Sequence, residues 1–182
     1  MCSRYAYAGF MELLPDFRGA SWGMSKEEVK FSEDLCPLTE GDGFITYGDR
    51  VMGLDAVVGY HFLGRALVEA GYAFRESLKG EHLYISEYRK LKDMLTGTYG
   101  EPSYDERACG GSGCFCADCS GADDAVACPI VYLCEWTTMR SVIRLVLIGE
   151  ETLFDFGLLH RSKEHEGLVG GVSSVEPEYT SI

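Results

Sequence analysis

Hydrophobic positions along the chain switch between two periods. Val58, Tyr60 and Phe62 alternate with Gly59 and His61, and Val68, Ala70, Tyr72 and Phe74 alternate again after Gly64. A period of two puts successive side chains on opposite faces of a strand, so these segments predict an antiparallel hairpin turning at Gly64-Arg65. Phe44-Ile45-Thr46-Tyr47 predicts an earlier strand that ends at a turn at Gly48-Asp49. Residues 130–136 read as a strand, and 142–148 with 153–159 predict a second hairpin around Gly149-Glu150-Glu151.

Two segments carry the helical period. Ser25 with Glu28 three residues later forms a capping box, in which each side chain satisfies a backbone N–H at the helix start. Met24 and Val29 stand where a hydrophobic staple would close, and Glu27 and Glu28 suit the positive end of the helix dipole. This predicts a helix of about two turns ending near Glu33-Asp34. A longer helix is expected over 83–96, where Tyr84, Tyr88, Leu91 and Leu95 line one stripe. Gly97, Gly100 and Pro102 stop it.

The predicted order is helix, three strands, helix, a cysteine-rich stretch, three strands. Strands joined by tight turns must be antiparallel. The expectation is therefore an α+β domain: a two-layer, mostly antiparallel sheet of about six strands with two helices on one face. Residues 1–165 are expected to form a single domain with a Cys-rich insertion at about 103–128, and 166–182 a flexible tail. No repeat at a solenoid period is visible; the two hairpins resemble each other only as hairpins.

Composition narrows the function classes. A content of 46% hydrophobic residues supports one core of ordinary size. A net charge of −13 without clustered Lys or Arg argues against nucleic acid, which demands cations to displace its counterions. No apolar run reaches the length of a membrane span. Met1 to Tyr7 lack a basic region followed by a hydrophobic one, so the chain as given reads as cytoplasmic. The alternative is an envelope-associated protein, since Cys2-Ser3 is what a trimmed lipoprotein start would look like.

Six of the eight cysteines fall in Cys109-x4-Cys114-x-Cys116-x2-Cys119-x8-Cys128-x5-Cys134, among glycines that allow them to approach one another. Cys116-x2-Cys119 has zinc-knuckle spacing; Cys109 and Cys114 would complete a tetrahedral site, with Cys128 and Cys134 as alternates. Only one such pair is present, where a zinc ribbon has two, and plant-type iron–sulfur spacing fails at Ala117. Disulfides are the rival in an exported protein, and reduced thiols with Cys134 buried in its strand are the third reading. A thiol redox role through Cys116 and Cys119 lacks the helix start that such pairs use.

Other catalytic signatures are missing. His61, His82, His160 and His165 are expected at the surface, and no His-Glu-x-x-His occurs. Gly110, Gly111 and Gly113 lack the Lys-Ser/Thr of a phosphate loop, and there is no Gly-x-Ser-x-Gly elbow. No catalytic residue is assigned, and the chain is expected not to be an enzyme.

The segment Phe17-Arg18-Gly19-Ala20-Ser21-Trp22-Gly23-Met24-Ser25-Lys26-Glu27-Glu28-Val29 resembles the opening of a group of bacterial proteins, many of them envelope-associated. Gly53-Leu54-Asp55-Ala56, Tyr60-His61-Phe62, Tyr88-Arg89-Lys90-Leu91, Tyr99-Gly100-Glu101-Pro102 and Trp136 extend it over 17–160, apart from the cysteine stretch. The element order is similar to that of outer-membrane assembly lipoproteins of the BamE type and of β-lactamase-inhibitor-like domains. The resemblance implies binding of a protein or peptide partner, without catalysis, through the exposed sheet face or a loop edge. The alternatives are a zinc module built on the cysteines, structural or metal-handling, and a thiol redox protein.

Overall fold

The computed structural model describes residues 15–109, 130–150 and 153–165. A short helix α1 (Lys26–Ser32) precedes the strands β1 (Pro37–Gly41), β2 (Phe44–Val51), β3 (Leu54–Leu63) and β4 (Ala66–Phe74). A long helix α2 (Glu81–Tyr99) precedes β5 (Tyr104–Cys109), β6 (Ile130–Thr137), β7 (Ser141–Glu150) and β8 (Leu153–Ser162). All eight strands form one antiparallel sheet in the order β1-β2-β3-β4-β8-β7-β6-β5. The chain thus runs twice through one sequence of elements, a helix followed by a four-strand meander. The last strand of each series, β4 and β8, pair in the middle of the sheet. This repeat is one of topology, which the residue pattern did not disclose.

The expected two-layer domain of about six strands is corrected on two counts. The sheet has eight strands, because β1 and β5 flank it as edges. An edge strand pairs on one side only, and both of these are short and largely exposed, so neither carries an apolar alternation. Nor do the two helices together make the second layer. In α1 only Val29 is buried, and a seven-residue helix cannot cover four strands. Phe17, Ala20 and Trp22 of the preceding segment do so instead, packing with Ile45, Tyr47, Val58, Tyr60 and Phe62.

Other boundaries moved for local reasons. β2 continues through Gly48-Asp49, pairs with β3 as far as Val51↔Leu54, and turns at Met52-Gly53, both left-handed. Helix α2 runs through Gly97 and stops at Gly100, whose φ of 84° suits glycine. The predicted stripe is its buried face: Tyr84, Tyr88, Leu91 and Leu95 lie against Tyr132, Cys134, Leu145, Leu147 and Phe156. The capping box at Ser25 and Glu28 forms as expected.

Register places both apolar clusters on one face. Ile45, Tyr60, Ala70, His160, Ile143 and Trp136 follow one another across six strands as paired residues. All six are buried. The opposite face carries neither helix.

Candidate functional site

The open face is built by the other half of each alternation. Thr46 pairs with Gly59, Gly59 with Gly71, and Gly71 with Leu159; Val57 pairs with Ala73, and Ala73 with Gly157. The middle of this face therefore has almost no side chains. A trough of about 1040 Å³ runs across β2, β3, β4, β8 and β7, with Gly59, Gly71, Ala73 and Gly157 on its open-face floor and Tyr84 of α2 and Phe154 also among its lining residues.

Large apolar side chains stand at several places on this face. Phe44, Leu63, Tyr104, Ile148 and Leu153 project on this face by strand alternation. Leu38 lies over the open-face position of Gly48, where a Cβ would meet its Cδ1 at 3.3 Å. Leu153 and Leu38 are 77% and 63% exposed, and these six residues are half of the large hydrophobics exposed among the described residues. Of the six, Phe44 and Leu153 line the trough, and the others are spread along the face, as scattered exposed apolar residues ordinarily are.

The charges here are largely committed to one another. Arg161 holds Glu69 at 2.6 Å, Arg144 holds Glu135 at 2.7 Å, and Arg50 lies 3.6 Å from Asp55. The polar side chains lining the trough include Thr46, His61, Glu69, Glu76, Ser77 and Asp155.

The polar cluster beneath the covered face does structural work. Arg18, in a left-handed conformation (φ 52°), donates to Glu33 Oε1 at 2.8 Å, Glu33 Oε2 at 3.1 Å and Asp49 Oδ2 at 2.5 Å. Tyr60 Oη also donates to Glu33, a carboxylate only 3% exposed. Burial alone would lower the Arg18 pKa, but hydrogen bonds to Asp49, Glu33 and Tyr72 outweigh it and raise it. Burial, and then the Glu33 contact, push the Tyr60 phenol up, so it stays protonated and donating. Arg18, Glu33, Asp49 and Tyr60 each have a partner, which is the requirement for burying charge without exposing the site to water.

The cysteines divide. Cys109 is the last residue of β5, while Cys114, Cys116, Cys119 and Cys128 lie outside the described residues. Cys134 is a free thiol with 0% exposure, in the middle of β6 beneath α2. Burial, helped by the Asp105 carboxylate, pushes its pKa up to about 11, so it is a protonated core residue at neutral pH. Among the described residues no group of three metal-ligating side chains converges. The redox pair Cys116 and Cys119, the glycines at 110, 111 and 113, and the tail at 166–182 likewise fall outside the described residues.

One histidine overturns its expectation. His160 is 5% exposed, because its alternation points to the covered face, where Phe17 packs edge-on at 5.1 Å. His61 does project on the open face, and His82 lies in the first turn of α2. The trough itself was half visible in sequence, as Gly59 and His61 alternating with a buried set. That Gly71, Ala73 and Gly157 would join Gly59 depended on strand order.

Among the described residues no helix is long and apolar enough to cross a membrane. Compared with family models, curated proteins and solved structures, the chain matches none.

Proposed function

We propose that the protein is a non-catalytic binding domain that docks a basic, apolar-anchored segment of a protein partner on the open face of its sheet. The observation that carries this reading is the division of the sheet. One face supports both cores, while the other keeps an apolar, glycine-floored trough that nothing among the described residues fills. A protein segment suits such a face because backbone and side chains together can follow a trough spanning five strands.

Charge selects the kind of partner. The chain carries −13; Glu69 is held by Arg161, and Glu76 and Asp155 still outnumber Arg75 around the trough. A basic segment would be steered toward this surface and an acidic one repelled. The resemblance to binding domains among envelope proteins implies a protein or peptide partner; the choice of a basic one rests on charge alone.

The test is selection of peptides from a random displayed library against the purified protein, followed by mapping of the bound peptide by amide chemical shifts. The expected peptides pair Lys or Arg with large apolar residues. They perturb β3, β4 and β8, and weaken with added salt. Failure to select any peptide, or perturbations confined to α2 or the edge strands, would sink the reading.

A further inference from the structure

Gly59 and Gly71 are paired across β3 and β4 on the trough floor, yet the fold needs only one of them. A Cβ on Gly71 would meet the Leu158 carbonyl oxygen at 2.4 Å and Leu159 Cα at 3.2 Å. Those are backbone atoms of the neighbouring strand and cannot swing aside, so glycine is demanded by the close approach of β4 and β8. Gly157 is similarly confined, with the Tyr72 carbonyl oxygen 3.1 Å from its Cβ position. At Gly59 an added Cβ would meet nothing within 4 Å, and the backbone is not left-handed.

A glycine inside a strand weakens it, because it gives up conformational freedom and packs nothing. The fold supplies no compensating reason for one at position 59. What its missing side chain does is keep the floor open between Thr46 on β2, Val57 and His61 on the same strand, and Gly71 on β4. The nearby walls at Phe44, Val57 and Leu159 are apolar, and Glu69, the adjacent acid, is engaged by Arg161. Such a space accepts the face of a ring or a branched aliphatic group and leaves a charged head without a partner.

The geometry points to Gly59 as the floor of a subsite for one bulky apolar side chain of the partner, aromatic or leucine-sized, and as the residue that sets this specificity. The inference rests on the docking of a protein segment to the open face and says which side chain anchors it.

The probes are N-acetyl-tryptophanamide and N-acetyl-lysinamide, titrated into isotope-labelled protein. Saturable amide shifts are expected at Gly59, Gly71 and Leu159 with the tryptophan probe and none with the lysine probe. Gly59→Phe fills the subsite and should weaken the tryptophan probe by about tenfold or more, with a thermal midpoint no lower than that of the native protein. Gly59→Val, which adds less bulk and suits a strand, should fold in any case and give a smaller loss. Equal affinity in both variants, or no saturable shift in the native protein, would overturn the subsite. Library-selected basic peptides separate the two ideas. Docking on the open face that ignores both substitutions overturns the subsite and leaves the docking reading intact; no docking there removes both.

Discussion

The first half of the chain (15–74) and the second (81–165) present the same order of elements and close their cores with different materials. In the second half a 19-residue helix lays four buried side chains on β6, β7 and β8. In the first half a seven-residue helix contributes Val29 alone, and an irregular segment takes over the covering. That segment is held by specific polar contacts. Arg18 bridges Glu33 and Asp49, while Trp22 Nε1 donates to Ser141 Oγ at 2.9 Å. Asp16 meets Arg140 at 3.0 Å, so the covering of the first half is tied to the β6–β7 turn of the second. A helix covers a sheet with its own satisfied backbone. An irregular segment must find partners for every group, and here it finds several of them in the other half.

The largest expected effect breaks that difference at its polar centre. Arg18→Met leaves the buried Glu33 carboxylate without its cation and with only the Tyr60 hydroxyl, which costs about 3–5 kcal/mol in urea unfolding. Adding Glu33→Gln should recover part of this, since the second substitution removes the stranded charge. Next are the matched truncations Phe17→Ala and Leu91→Ala. They delete comparable packing from the two coverings, at about 3–5 and about 2–5 kcal/mol respectively. Both should shift one cooperative transition, because β4 pairs with β8 and the covering segment spans both halves. Two separated transitions in either variant would show the halves folding independently.

Acid probes the contact between the halves. Burial pushes the His160 pKa from 6.5 down to about 4, partly offset by hydrogen bonding to the Asp16 backbone. The unfolded chain takes up a proton near pH 6.5 that the folded chain refuses until near pH 4. Its contribution is therefore present in full above about pH 6.5 and falls by about 3 kcal/mol as the pH drops to 4. Urea midpoints measured across this window should flatten in His160→Gln; an unchanged slope would remove His160 as the cause. The smallest effect is Ser25→Ala. Loss of the capping box should cost about 1 kcal/mol, and an effect much below that would mean α1 is held by its neighbours alone.

The two helices were legible in sequence for separate reasons. The α2 stripe repeats at helical spacing for three turns, and α1 announces itself by Ser25 and Glu28 although only Val29 is buried. β3, β4 and the β7–β8 hairpin were equally visible, because each has one face in the core and one outside it. β1 and β5 were not, since edge strands bury little and pair through backbone. His160 was misplaced for a related reason: a polar residue on a buried face reads as a surface position until its neighbours are known. The candidate site was the least legible part. Gly71 and Gly157 look alike in sequence to Gly59, and only the distances to the neighbouring backbone separate the glycines the fold needs from the one it does not.

Local pattern, then, determined which segments are helices and strands and which side of each is apolar, because those properties depend on residues a few positions apart. Strand order, the meeting of β4 with β8, and the alignment of four small residues into one trough were decided only in the folded sheet. Each of these joins residues far apart in the chain, and pairing in space is what sets them side by side.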